Sequence, residues 1–61
     1  MRIATDNDFK PGTVLMDASR NEFTLLELAY PNDKDMWIGR GERGSKIIFK
    51  SEAKYYNIKG N

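Results

Sequence analysis

Along the chain, apolar residues come in short runs of period two, separated by residues that favour turns. The Pro11-Gly12 turn signal introduces Thr13-Val14-Leu15-Met16-Asp17-Ala18, in which Val14, Met16 and Ala18 share one wholly apolar face. Met36-Trp37-Ile38-Gly39-Arg40 predicts another strand, with Trp37 on one face and Met36 and Ile38 on the other. Lys46-Ile47-Ile48-Phe49-Lys50 has the clearest strand composition, β-branched and aromatic residues between two lysines. There Ile47 and Phe49 are expected in the core, and Lys46, Ile48 and Lys50 on the opposite face. Tyr55-Tyr56-Asn57-Ile58-Lys59 predicts a last short strand, which would turn one of the two tyrosines away from the core.

The stretch Glu22-Phe23-Thr24-Leu25-Leu26-Glu27-Leu28-Ala29-Tyr30 admits two periods. As a strand it places Phe23 and Leu25 on one face and Leu26, Leu28 and Tyr30 on another, which requires a bulge near Leu25-Leu26. As a helix over 20–30 it has Ser19-x-x-Glu22 as a capping box and Phe23, Leu26 and Tyr30 on one stripe, with Pro31 as its stop. The turn formers from Asp17 to Asn21 favour the strand, because they make a hairpin loop leading into it. Two further segments are loops by composition, Pro31-Asn32-Asp33-Lys34-Asp35 and Gly41-Glu42-Arg43-Gly44-Ser45. Ser51-Glu52-Ala53-Lys54 predicts a single helical turn near 51–54, with Ser51 as its cap.

These parts define an all-β, or mainly β, chain: a small five-stranded barrel spanning 9–61, preceded by an arm at 1–8 that is flexible or an edge strand through Arg2-Ile3-Ala4-Thr5. Across residues 9–59 the order of parts resembles an SH3-like barrel. A turn at Pro11-Gly12 precedes a strand, a long hairpin and a second hairpin follow, and a helical turn then leads to Tyr55-Tyr56. The resemblance is one of layout and carries no functional residues with it.

Length and composition narrow the functional classes. The chain has 61 residues, 39% hydrophobic and 31% charged. A domain of this size buries roughly 60% of its unfolded surface and has no room for a deep pocket. It contains no cysteine and no histidine, which excludes disulfide staples, thiolate and imidazole catalysis, and the usual zinc ligands. Any serine, among Ser19, Ser45 and Ser51, lacks the histidine of a usual triad. The apolar runs are too short for a membrane span. The expectation is a soluble, cytoplasmic, noncatalytic binding module, with no cofactor, no metal and no membrane partner.

The net charge of +1 divides unevenly, with −3 over residues 1–36 and +4 over residues 37–61. Charge segregated between halves marks an anionic partner or two halves that attract each other. Within the basic half, Gly39-Arg40-Gly41-Glu42-Arg43-Gly44 places two arginines among three glycines, where guanidinium and backbone groups can approach a phosphate. The same glycines equally suit a hairpin turn, and the Gly-Lys-Ser/Thr ending of a P-loop is missing. Lysines then interleave with aromatics. The predicted nucleic-acid site is Arg40, Arg43, Lys46 and Lys50 for charge, with Tyr55 or Tyr56 stacking on bases.

Trp37 is predicted to anchor the core or its rim. Trp37 and Tyr30 are the candidates for a protein interface in the alternative reading, a protein-interaction module such as an inhibitor or accessory subunit. Homo-oligomerisation is a third expectation, since so small a core gains from burying more surface. Asp33-x-Asp35 with Asn32 resembles a loose cation loop but lacks the ligand count of a calcium site, and turns select these residues anyway.

Overall fold

A computed structural model describes residues 1–59 of the chain. Six strands form one antiparallel sheet: β1 (Arg2–Ile3), β2 (Val14–Met16), β3 (Glu22–Tyr30), β4 (Asp33–Gly41), β5 (Gly44–Phe49) and β6 (Asn57–Ile58). Their order across the sheet is β1-β6-β2-β3-β4-β5. The ladder is open, with β1 and β5 at its edges, and there are six strands where five were expected. Short 3-10 segments at Asp6–Asp8 and Lys50–Tyr55 flank it. The whole measures 31 × 24 × 17 Å.

Residues 22–30 are a strand, and the helical alternative at 20–30 is not adopted. The expected bulge is present: the β3–β4 register shifts between Leu25 and Glu27, and again between Leu28 and Tyr30. Phe23 and Leu25 face the core before the first shift, while Leu26 is left exposed at it. Two loops are tighter than their composition indicates. The chain turns at Pro31–Asn32, with Asp33 already in β4, and at Glu42–Arg43, with Gly41 and Gly44 paired across the turn.

The core lies on one face of the sheet. Leu15, Leu25 and Ile48 are fully buried, and Ala4, Phe9, Ala53 and Ile58 complete the cluster. Burying each of the larger side chains among them, the leucines, isoleucines and Phe9, stabilises by about 1.5–3 kcal/mol. Two strands present the opposite face to the one the alternation indicates. In β2 Leu15 is the core residue, with Val14 and Met16 half-buried and Ala18 exposed. In β5 Ile48 is the core residue, and Ile47 and Phe49 are 38% and 37% exposed. The cause of the second reversal lies across the ladder. Ile48 pairs with Trp37 beside Gly39, whose missing side chain makes room for Ile48: a Cβ there would collide with Ile48 Cδ1 and lie 3.2 Å from Cγ1.

The arm is ordered as an edge. Arg2 and Ile3 pair with β6, and Arg2 makes a bidentate ion pair with Asp8. Asp8 also accepts the Thr5 N–H at 2.8 Å. The Arg2 guanidinium first, and the Thr5 N–H next, hold the Asp8 carboxyl far below the usual carboxylate range. The final strand is only Asn57–Ile58, so Tyr55 ends the second 3-10 segment instead of entering a strand. That segment runs over Lys50–Tyr55, longer than the single turn expected, and is kinked at Glu52. Ser51 does not cap it. Asp35 reaches across from β4 and accepts both the Ser51 N–H, at 2.7 Å, and the Ser51 hydroxyl, at 3.1 Å.

Candidate anion-binding cleft

Antiparallel pairing sets where the loops meet. The β2–β3 loop and the β4–β5 turn emerge from the same end of the sheet, because β3 and β4 run in opposite directions. Between them lies an open cleft of about 580 Å³. Its charged lining is Arg20 from the loop, Glu22 from β3, Arg40 from β4, and Glu42 and Arg43 from the turn, and Phe23 and Thr24 also line it. None of the three arginines is ion-paired among the described residues. Glu22 is engaged by Lys59 at 2.9 Å, so Glu42 is the one lining carboxylate without a basic partner among the described residues. The cleft therefore carries an excess of positive charge.

The loop that presents Arg20 is built by Asp17. Its carboxylate accepts the backbone N–H groups of Ser19 and Asn21, each at 2.9 Å, and the Asn21 side-chain amide at 3.1 Å. These bonds, the Asn21 backbone N–H above all, lower the Asp17 pKa. Arg20 itself has a left-handed backbone with φ 67°, uncommon for a non-glycine residue. The glycines opposite divide their roles. Gly44 has φ 125° where the chain leaves the turn, whereas Gly39 and Gly41 lie within β4 and make room for Ile48 and Phe23.

The predicted site residues separate into groups. Arg40 and Arg43 line the cleft together. Lys46 sits beside it on the inner face, its Nζ 4.4 Å from the centre of the Phe23 ring and 5.8 Å from that of Tyr56. Lys50 lies at the far end of β5, where the second 3-10 segment begins. Tyr55 is 64% exposed and neighbours Lys54, whose Nζ lies 5.4 Å from its ring, while Tyr56 packs against the core. Arg20 was not among the expected residues. Its signal was loop parity: a basic residue in the β2–β3 turn faces the β4–β5 turn whenever the three strands pair in sequence.

Trp37 packs at the core rim with its ring edge-on to Phe9, centroids 6.2 Å apart. Its indole N–H is buried without a hydrogen-bond partner among the described residues. Tyr30 is exposed at the opposite end of β3 from the cleft. Trp37 and Arg40 face opposite sides of β4, since the β4–β5 register runs without a shift through Gly39. Asp33 accepts the Asp35 N–H at 3.0 Å, and with Asp35 bonded to Ser51 the pair serves the turn and the 3-10 segment. No cluster of potential metal ligands occurs among the described residues, and no helix among them is long and apolar enough to cross a membrane. No protein-family model, curated protein or solved structure matches the chain.

Proposed function

We propose that the protein is a noncatalytic nucleic-acid-binding module that holds backbone phosphates in the cleft of Arg20, Arg40 and Arg43. The observation that carries this reading is the convergence of three arginines from three separate elements, none ion-paired among the described residues, on one open cleft. Guanidinium groups suit phosphate because their planar donors bind two oxygens at once. The absence of histidine and cysteine supports the noncatalytic part. Lys46 adds a cation on the inner face, over the Phe23 ring and 5.8 Å from the centre of the Tyr56 ring. The same reading includes the SH3-like barrel as the form of the fold. The return of β6 beside β2, after a 3-10 segment, supports that arrangement.

Fluorescence anisotropy with short single- and double-stranded DNA and RNA tests it. Binding is expected at low salt and should weaken steeply towards physiological salt. Three neutralised phosphates give a log–log slope of about −2 to −3. Arg20→Ala, Arg40→Ala and Arg43→Ala should each reduce that slope by about one. Absence of binding at low salt, or binding indifferent to all three substitutions, overturns the proposal.

A further inference from the structure

The two edges of an open sheet carry unpaired backbone groups, and β5 is the longer of the two, without the usual protection. The two-residue turn at Glu42–Arg43 makes Gly41 and Gly44 a hydrogen-bonded pair. Alternation along the ladder then bonds Lys46 and Ile48 to β4. The N–H and C=O groups of Ser45, Ile47 and Phe49 point away from it, and β5 has no second neighbour among the described residues. Edges are commonly blunted by proline, a bulge or an outward lysine. Here β5 contains no proline, and its register with β4 is unbroken from Met36–Phe49 to Gly41–Gly44. Its one internal lysine, Lys46, folds over Phe23 on the inner face. On the outer face the edge instead shows Ile47 and Phe49, backed by their half-buried partners Ile38 and Met36.

We propose that two copies of the chain join edge to edge through β5, antiparallel about a two-fold axis at Ile47. The strand's own pattern supplies the occupant, and the placement of its lysines selects the register. Centred on Ile47, the pairing sets Ile47 against Ile47, Ser45 against Phe49, Lys46 against Ile48 and Lys50 against Gly44. No charge faces a like charge. Moving the axis to residue 46 sets Lys46 against its own copy, which is destabilising, and moving it to residue 48 runs the pairing into the 3-10 segment that begins at Lys50 and leaves only about four edge hydrogen bonds. The register compatible with charge is also the one that forms about six edge hydrogen bonds and joins the two outer apolar patches. The strand is thus complementary to itself, as a closed two-fold dimer requires. So short an edge buries an area at the small end of specific interfaces, so the dimer is a weak one. This proposal concerns a different surface from the arginine cleft and does not depend on it.

Sedimentation equilibrium without nucleic acid tests the dimer, and amide hydrogen exchange on the same samples tests its place. The mass should rise from one chain towards two between about 10 μM and 1 mM. Over that range the Ser45, Ile47 and Phe49 amides should gain protection, while Lys46 and Ile48 are protected throughout. Ile47→Lys places two lysines opposite each other and should weaken association at least about tenfold. A chain still monomeric at about 1 mM, at the top of the range expected of so small an interface, overturns the proposal. So does a dimer that leaves the three alternating amides unprotected, or a folded Ile47→Lys variant that associates like the parent. Should that variant not fold, the exchange pattern of the parent chain decides.

Discussion

The edges of the sheet are opposites. At one, β1 is two residues long, and its Arg2 is locked to Asp8 across the first 3-10 turn. At the other, β5 runs for six residues with its lysine turned inward and two apolar side chains outward. A short strand tied down by charge offers no template for another strand, whereas a longer one with an unbroken register and apolar side chains outward does. Edge protection in this fold is thus local to each strand.

The largest break in that comparison is a substitution that removes what both edges share. Leu25 is fully buried on the central β3, and Leu25→Ala is expected to cost about 2–5 kcal/mol. In a chain this small that should unfold both edges together, read as a fall in the urea midpoint. Gly39→Ala acts on the β5 side. The new methyl would drive Ile48, itself fully buried, out of its place, at an expected cost of about 1–3 kcal/mol. Amide exchange in β5 should accelerate more than at Ala4, whose N–H bonds to Tyr56 at the β1 end.

Smaller effects sharpen the contrast. Lys46→Ala removes a cation from the face of Phe23 and should cost about 0.5–1 kcal/mol by denaturant titration. Acid should act on the other edge. The Asp8 carboxyl is lowered by its bonds to Arg2 and Thr5, so its contribution is present above the unfolded value of 3.8 and is lost as pH falls below it. Exchange at Ala4 should therefore quicken in acid before exchange at Lys46 or Ile48 does. Equal acceleration at both edges would show that the two are coupled.

Much of the sheet was legible in the sequence, because turn chemistry and alternation are local signals. Pro11-Gly12 and Pro31-Asn32 mark real turns, and the change of face at Leu25-Leu26 marks a real bulge. Which face of a strand is buried was less legible. In β5, alternation alone offers two apolar residues on one face and Ile48 on the other, and the larger set suggests itself as the core. Gly39 reverses that choice by leaving space for Ile48 on the inner face of the neighbouring strand, a cross-strand fact no single run contains. Likewise Arg40 and Arg43 were found from their glycine neighbours, whereas Arg20 joins them only through strand pairing. Arg40, Arg43, Lys50 and Tyr55 are close in sequence, but β5 and the 3-10 segment carry Lys50 and Tyr55 to other parts of the surface.

The left-handed backbone at Arg20 sets two demands on one position. Asparagine or glycine adopts such a conformation at less cost, so Arg20→Asn or Arg20→Gly relieves the loop of strain of order 1 kcal/mol. Either change also removes a third of the cleft's arginines. Selection for thermal robustness and selection for anion affinity thus pull residue 20 in opposite directions. A library randomised there and sorted separately for each property should return different residues.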